Sequence, residues 1–246
     1  MHPTHSAYTE LQTAFDYFNH ELFDGKLTDC LITFQRKNRT YGYFSAGRFE
    51  DINGLKVDEL ALNPVYFSVI PLEEIMQTLV HEMVHQWQQY FGKKGRRGYH
   101  NKEWSEKMEE VGLMPSSTGK PGGKKTGEKM MDYIIEGGLF EIKLASLLST
   151  NFRVSWFDRF PPISGIQKLI QNSPDDESYA DLLDTWGVEV DLEGNVKSTT
   201  NQSVTQSRLK QTCPSCHVSI WGKPSLKILC MDCDEQFSPA PFKEKI

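Results

Sequence analysis

One stretch constrains the fold of this chain more than any other, the segment Leu72–Phe91 with the sequence LEEIMQTLVHEMVHQWQQYF. Its apolar residues recur at the i, i+3, i+4, i+7 spacing of a helix with one buried face. Pro71 fits the first position of such a helix, and Gly92 fits a left-handed C-terminal cap. Glu73 and Glu74 complement the positive end of the helix dipole. These signals predict one amphipathic helix over residues 72–91.

The predicted helix carries His81-Glu82-Met83-Val84-His85 near its middle. Four residues make about one helical turn, so the side chains of His81 and His85 project from the same side. That spacing suits two ligands of one metal ion, and Glu82 then lies where a general base can act on metal-activated water. The alternative is two half-exposed histidines and a solvated glutamate. We favour the metal site because the motif is rare by chance and lies on a helix.

A catalytic zinc typically has three protein ligands and one open position, so the motif requires a further ligand. We predict His100, which follows a glycine-rich basic loop and begins another predicted helix that can fold back over the site. Glu103, Glu106 or a later carboxylate are the alternatives. The compact pattern with a histidine six residues after His85 is excluded because position 91 is Phe91.

Composition sets the outer bounds of the interpretation. The chain has 246 residues, of which 38% are hydrophobic and 24% charged, and this is ordinary for a globular soluble protein. No apolar run approaches the length of a membrane span, and the N-terminal residues lack the basic-then-apolar layout of a signal peptide. We therefore expect a cytoplasmic protein with no membrane partner, in a location compatible with the nucleoid. The sequence indicates no oligomeric state.

Four of the five cysteines form two C-x-x-C pairs separated by 13 residues, and these are Cys213, Cys216, Cys230 and Cys233. This pattern indicates a structural zinc site in a small zinc ribbon over residues 213–240. Four thiolates complete a tetrahedral site and leave no position for water, and the metal then supplies much of the folding free energy. The fifth, Cys30, is expected to be a small buried apolar residue.

The net charge of −6 is unevenly distributed. Residues 91–130, directly after the predicted metal helix, contain ten basic and five acidic side chains. Basic, glycine-rich loops suit contact with phosphates, although a solvated loop without a partner is the alternative. In the ribbon, Trp221, Lys223, Lys227 and Phe237 are candidates for a face that stacks on single-stranded nucleic acid. A ribbon that only stabilises the tail or docks a protein is equally compatible with the sequence.

The remaining segments indicate an α+β fold. Thr9 resembles a capping-box residue at the start of a helix that continues to Leu22. Three short strands, 31–34, 41–49 and 55–62, predict a small, mainly antiparallel sheet covered by this helix and by the helix over 72–91. Residues 116–126 have the composition of a flexible linker or of a loop near the active site, and residues 130–140 are strand-like.

Several of these residues resemble a known family, the SprT-like zinc metallopeptidases, whose eukaryotic relatives include Spartan, the DNA–protein crosslink protease. The resemblance runs over about residues 8–140. It includes Phe18-Asn19, Leu22-Phe23-Asp24-Gly25, Gly42-Tyr43-Phe44, Glu59-Leu60-Ala61-Leu62-Asn63-Pro64, the His81–His85 motif, His100, Trp104 and the segment Thr126–Ile134. One departure is Asn101, where relatives often have glycine after the third histidine.

The resemblance implies a zincin-like metallopeptidase domain in which His81, His85 and His100 bind zinc and Glu82 is the catalytic base. It implies protein substrates associated with or crosslinked to DNA, with single-stranded DNA the favoured partner, and two zinc ions, one catalytic and one structural. The alternative function is a nucleic-acid-binding zinc protein whose His-Glu-x-x-His site is slow or only structural. A peptidase indifferent to nucleic acid is a third hypothesis.

The predicted organisation has four parts. A SprT-like metallopeptidase domain covers residues 1–140, and an acidic accessory segment to which we assign no chemistry covers 141–200. Within that segment we predict a helix that starts at Ser173 and a hairpin around Gly194. Residues 201–212 are predicted to be a linker, and residues 213–240 a four-cysteine zinc ribbon.

Overall fold

The computed structural model describes residues 2–38, 40–96, 98–172, 183, 186, 188–190, 196–198, 209–223 and 225–239. The chain divides into two compact units, Met1–Trp186 with Val190–Val196 and Gly187–Glu189 with Lys197–Ile246. The predicted start of a helix at Ser173, the turn around Gly194 and most of the predicted linker lie outside the described residues. No helix in the described part of the chain is long and apolar enough to span a membrane.

The elements follow one another in this order: α1 (Pro3–Phe23), β1 (Cys30–Phe34), β2 (Gly42–Glu50), β3 (Lys56–Leu62), α2 (Leu72–Phe91), α3 (Lys102–Val111), β4 (Leu113–Ser116), β5 (Met131–Ile134), α4 (Leu139–Leu148), α5 (Ile163–Asn172), β6 (Val188–Val190), β7 (Val196–Ser198), β8 (Leu209–Thr212), β9 (Ser219–Gly222), β10 (Leu229–Cys230), β11 (Glu235–Gln236) and β12 (Ser238–Pro239). Helices and small sheets are mixed, so the predicted α+β class is confirmed.

The main sheet has the strand order β1-β3-β2. β2 and β3 form the expected antiparallel hairpin, in which Phe44 lies opposite Leu60. β1 pairs with the other side of β3 in parallel, with Ile32 opposite Leu60. The prediction of a mainly antiparallel sheet is therefore wrong, and the sheet is mixed. β2 occupies one edge of β3 in the hairpin. β1 pairs with the opposite edge of β3 and runs in the same direction as β3, so β3 becomes the central strand.

The first helix is longer than its sequence signals predict. α1 begins at Pro3, which occupies the first helical turn after the cap residue His2, so the predicted start at Thr9 is wrong. Proline is tolerated there because the first amide groups of a helix have no intrahelical acceptor. α1 buries Leu11, Phe15 and other residues of one face in the core beneath the sheet.

α2 covers Leu72–Phe91, which are the predicted bounds. The predicted left-handed cap is wrong, because Gly92 has φ −116° and ψ −174°. Its lack of a side chain matters for another reason. A Cβ at this position would lie 2.5 Å from Oε2 of Glu103, so a larger residue here would require the Glu103 carboxylate to move.

The core of the first unit extends past residue 140. Phe140, Leu144 and Leu147 of α4 are buried among residues of α1 and α3. The predicted boundary after residue 140 therefore falls inside a helix whose apolar face packs in the core. The strand-like run over 130–140 divides into β5, which pairs antiparallel with β4, and the beginning of α4.

The second unit is small and locally connected. Three antiparallel strands have the order β12-β8-β9, and β10 and β11 form a separate two-stranded pair. In the described part of this unit, the apolar core consists of the buried residues Cys213, Cys230 and Phe237, with Ile220, Ile228 and Cys233 packed against them. Half of this core consists of cysteines, so the described residues offer few apolar contacts to stabilise the unit without a ligand for the thiols.

Candidate metal centres

Three histidines converge at one point of the first unit. His81 and His85 lie one turn apart on α2 with ring centroids 5.2 Å apart. His100, just before α3, has its ring centroid 4.8 Å from that of His85 and 5.7 Å from that of His81. One nitrogen from each ring lies within 4.8 Å of the others. These residues could hold a metal ion, and three imidazoles are a donor set consistent with zinc.

The two glutamates predicted as alternative ligands, Glu103 and Glu106, contact other partners. The Glu103 carboxylate accepts hydrogen bonds from the amide of Lys93 and, at 3.4 Å, from Nε2 of Gln88. Glu106 forms an ion pair of 3.4 Å with Lys102. Among the described residues, the group with metal-ligand spacing around α2 contains histidines only. The geometry favours His100 over these glutamates as the third ligand.

Trp104 forms the apolar support of the three rings. Its side chain is fully buried, and its ring centroid lies 5.0 Å from that of His81, 5.3 Å from that of His85 and 4.4 Å from that of His100. The ring of His85 stacks on the indole with an interplanar angle of 24°. Because Trp104 belongs to α3, the packing of α3 on α2 determines how closely the third histidine approaches the other two.

The side chain of Asn101, at the position where SprT-like relatives often have glycine, makes three hydrogen bonds that a glycine could not make. Asn101 is the N-cap of α3, and its side-chain oxygen accepts the amide of Trp104 at 3.0 Å and Nε2 of Gln88 at 2.7 Å. Its Nδ2 donates to the carbonyl of Lys93 at 3.0 Å. The side chain therefore joins the start of α3, the end of α2 and the intervening loop, and these contacts hold His100 in place.

Outer hydrogen bonds orient two of the three imidazoles. Nδ1 of His81 lies 2.9 Å from Oδ1 of Asp132, and Nδ1 of His100 lies 3.1 Å from the carbonyl oxygen of Gly127. On the inner side, the Nε2 atoms of His100 and His85 are 3.1 Å apart. Nδ1 thus faces the protein and Nε2 faces the centre in His81 and His100. The role of Asp132 was missed by sequence reasoning, because its partner lies 51 residues away and no local pattern marks it.

Burial gives the site its acid–base properties. Burial lowers the pKa of His85 well below its usual value and that of His100 to about 4, with a further contribution from His81. Burial alone would lower the pKa of His81, but the hydrogen bond and negative charge of Asp132, together with the charge of Glu82, outweigh burial and the pKa is raised. Burial raises the pKa of Glu82 to about 6, against the opposing effects of His81 and of the backbone amide of Phe44. Two neutral imidazoles and a basic carboxylate therefore occupy one site.

An open cleft of about 1430 Å³ contains these groups. His81, Glu82, His85 and His100 line its wall, together with Gly42, Phe44 and other residues of β2. Basic side chains line it as well, namely Lys37, Lys94, Arg96, Lys120, Lys129 and Lys168. The predicted active-site candidates therefore share one solvent-accessible cavity, which is large enough for a segment of a polypeptide.

Residues 116–126 form an ordered loop at this cleft. Oγ of Ser116 donates to the carbonyl of Lys120 at 2.6 Å, and the amide of Lys124 donates to Oγ of Ser117 at 3.0 Å. Thr118 and Gly119 line the cleft. Of the two interpretations of this loop, the structure favours a loop near the site over a flexible linker. Tyr133 lines the same cleft.

The four predicted cysteine ligands meet in the second unit. One sulfur from each of Cys213, Cys216, Cys230 and Cys233 lies within 4.8 Å of the others, and the sulfurs of Cys216 and Cys230 are 3.7 Å apart. Hydrogen bonds from backbone amides, that of Cys216 foremost, lower the pKa of Cys213 to about 7 and favour its thiolate. This group could hold a metal ion in the manner of a zinc ribbon.

One face of β8 and β9 is exposed, basic and aromatic. Lys210 lies directly opposite Trp221, whose side chain is 67% exposed. Lys223 and Lys227 are also exposed, as their proposed role requires. Phe237 is only 8% exposed and belongs to the small core, so its prediction as part of a stacking face is wrong. It follows the last turn of the ribbon, and its side chain fills the space beside the thiols.

Comparison with known proteins is consistent with this site. The model of the SprT-like family matches residues 11–121, which include all three histidines and Glu82. An "Uncharacterized protein in mucB 3'region" of Salmonella typhimurium is 52% identical over 59 residues, which are 24% of this chain and 80% of that protein. No solved structure matches the chain. Family membership supports a metallopeptidase-type function. With its histidine motif and the matched region around it, the chain belongs to the SprT-like family.

Proposed function

We propose that this protein is a zinc-dependent endopeptidase that acts on proteins associated with or crosslinked to DNA. The observation that carries the proposal is the meeting of three histidine nitrogens within 4.8 Å of one another, in the cleft that Glu82 also lines. A purely structural metal site has no use for an uncoordinated carboxylate at its edge. The open cleft likewise differs from the closed ligand set of a structural site.

In this proposal His81, His85 and His100 hold the zinc ion and Cys213, Cys216, Cys230 and Cys233 hold a second one. Zinc in the histidine site supplies a Lewis acid that polarises the scissile carbonyl and acidifies water. Glu82 takes a proton from the attacking water onto its carboxylate and delivers it to the leaving amine nitrogen. Its raised pKa, about 6, suits a group that must both accept and donate a proton near neutral pH.

The edge of β2 gives the substrate a place to bind. Within the described part of the chain, β2 has a partner strand on one side only, and Gly42 and Phe44 of this strand line the cleft. An extended peptide can pair with such an edge through main-chain hydrogen bonds, which is sequence-tolerant recognition. A zincin-like arrangement, with the metal helix packed against a sheet whose edge strand borders the site, is part of the proposal.

Positive charge supports the proposed nucleic-acid partner. Among the cleft residues, Arg96 pairs with Glu128 at 2.7 Å and Lys168 with Glu74 at 3.5 Å. The further basic residues of the cleft, Lys37, Lys94, Lys120 and Lys129, leave it with more basic than acidic side chains. The exposed pair of Lys210 and Trp221 suits phosphate contact and base stacking, for which single-stranded DNA is the favoured ligand. A cytoplasmic location at the nucleoid follows from this partner.

The proposal is tested with an unfolded protein offered either free or crosslinked to single-stranded DNA. Wild type and Glu82→Gln are compared on both substrates, each with and without additional free DNA. We expect wild type alone to cleave, with faster cleavage of the crosslinked substrate, while both proteins contain two zinc ions per chain.

The outcomes separate the competing functions. Equal cleavage of free and crosslinked substrate, unaffected by DNA, would support a peptidase and contradict the proposal that DNA is its partner. If the wild-type protein binds both zinc and DNA but does not cleave, the result would contradict the proposed enzyme and support the alternative, a nucleic-acid-binding zinc protein.

A further inference from the structure

We propose that Asp132 is a positioning residue of the histidine site, which fixes His81 in the tautomer and orientation that a metal requires. This inference rests on the proposed metal centre, but its readout is metal affinity and does not depend on peptidase activity. It also assigns a function to β5, which lies outside the region matched by the family model, residues 11–121.

Both carboxylate oxygens of Asp132 are occupied. Oδ1 lies 2.9 Å from Nδ1 of His81, and Oδ2 accepts Nε2 of Gln77 at 2.7 Å. Gln77 also donates to the main-chain carbonyl of Asp132 at 2.9 Å. The side chains of Asp132 and His81 are 7% and 12% exposed, so water competes little for these contacts. The carboxylate therefore has one defined orientation.

Gln77 and His81 lie four residues apart on α2, so both side chains reach the same strand from the same face of the helix. The strand is fixed in turn by β4, where Asp132 lies opposite Pro115. The arrangement is thus a clamp between α2 and β5. Gln77 sets the position of the carboxylate, and the carboxylate sets the imidazole of His81.

The chemical consequence follows from the two nitrogens of an imidazole. The carboxylate of Asp132 accepts a hydrogen bond from the Nδ1–H group, so His81 carries its proton on Nδ1 and leaves the Nε2 lone pair free for the metal. A carboxylate partner also increases the basicity of the ligand nitrogen. Gly127 does the same for the tautomer of His100 through its carbonyl oxygen at 3.1 Å. Two of the three histidines are therefore oriented by Asp132 and Gly127.

The test is the zinc affinity of the full chain with Asp132→Asn, measured by chelator competition. The asparagine keeps the size of the side chain, loses its charge, and can present its amide group to Nδ1 so that the wrong tautomer is favoured. We expect zinc binding in the histidine site to weaken about 10–100-fold, as is typical for loss of such a partner. Nitrogen chemical shifts of His81 in the metal-free protein should show a mixture of tautomers in place of one.

The matched control is Glu128→Gln, which removes one negative charge from the same segment. Glu128 is 68% exposed, pairs with Arg96 and has no contact with the histidines among the described residues. We expect its zinc affinity to stay within twofold of wild type. Gln77→Ala, which keeps Asp132, should weaken zinc binding in the same direction but by less.

Equal zinc affinity of Asp132→Asn and wild type would overturn the inference, as would an equal loss in Glu128→Gln. A purely structural role would lower the melting temperature of the metal-free protein without changing the tautomer of His81, and this outcome also contradicts it. If the wild-type protein has no peptidase activity, the proposed function is refuted, but the measured effect of Asp132→Asn on zinc affinity still tests the role of Asp132.

Discussion

The two candidate metal sites of this protein are built in opposite ways. The histidine site takes His81 and His85 from α2 and His100 from the far side of a loop, and it rests on a core of buried residues from six further elements. The cysteine site takes all four ligands from 21 consecutive residues, and three of the cysteines belong to its core. In the first case the protein core shapes the site, whereas in the second the ligands largely are the core.

This difference predicts a difference in dependence on metal. The rings of the histidine site are held by contacts with Trp104, Asp132 and Gly127, which are all groups of the protein. Among the described residues, the core of the ribbon contains Phe237, Ile220 and Ile228 besides its cysteines, which is too little apolar burial to order a unit of this size. We therefore expect metal to be used for chemistry in the first site and for folding in the second.

The largest effect is expected from Cys213→Ser. Structural zinc contributes about 10–16 kcal/mol of apparent binding free energy in small zinc modules, so loss of one thiolate should unfold the ribbon. Metal content should fall from two ions per chain to one. Amide hydrogen exchange should show loss of protection in β8 and β9 but not in α2. The matched control is Cys30→Ser, because Cys30 is a free cysteine outside the cluster. Retained protection in the ribbon would contradict the claim that the ribbon depends on metal for folding.

Two tryptophans provide the next test. Trp104 is fully buried, and Trp104→Ala should lower the free energy of unfolding of the first unit by about 3–5 kcal/mol. It should also weaken metal binding by the histidines, whose rings all contact the indole. Trp221 is 67% exposed, so Trp221→Ala should change stability by no more than about 0.5 kcal/mol. Denaturant unfolding of both variants measures the difference. Similar losses of unfolding free energy would contradict the claim that the histidine site rests on a buried core whereas the exposed face of the ribbon does not contribute to stability.

A smaller effect is expected from Asn101→Ala. The variant loses the N-cap of α3 and the hydrogen bonds to Gln88 and Lys93, so the free energy of unfolding should fall by about 1–2 kcal/mol. Asn101→Asp keeps the capping oxygen and is the control. If Asn101→Ala unfolds like wild type, the contacts around Asn101 do not hold His100 in place.

The smallest effect concerns Tyr90, whose hydroxyl lies 2.8 Å and 2.9 Å from the two carboxylate oxygens of buried Asp58. Burial, together with this hydrogen bond, raises the pKa of Tyr90 to about 12. The folded pKa exceeds that of the unfolded chain, about 10. The contribution to stability is therefore complete below pH 10 and declines as pH rises toward 12.

Tyr90→Phe should thus cost about 1 kcal/mol in unfolding at pH 8 and less at pH 11. Tyr8→Phe is the control, because the hydroxyl of Tyr8 has no hydrogen-bond partner among the described residues. A cost for Tyr90→Phe that does not change with pH would contradict the assignment.

Sequence reasoning succeeded where signals are local. The bounds of α2 follow from the spacing of its apolar residues, and the two cysteine pairs identify the ribbon because their spacing matches metal coordination. The parallel pairing of β1 with β3 could not be predicted, since it joins strands 28 residues apart and no turn motif marks it. The contact of His81 with Asp132 spans 51 residues and depends on the same tertiary packing. Phe237 was misassigned because an aromatic residue in a short strand can face either side.

The most direct test removes metal from the intact protein with a chelator and then restores zinc, while cleavage of an unfolded protein and amide exchange are followed together. We predict that cleavage is lost and returns with zinc, that amides of α2 stay protected throughout, and that those of the ribbon lose and regain protection. Cleavage by the metal-free protein would contradict the assignment of His81, His85 and His100 to catalysis. Loss of protection in α2 on metal removal would contradict the claim that the core preorganises that site.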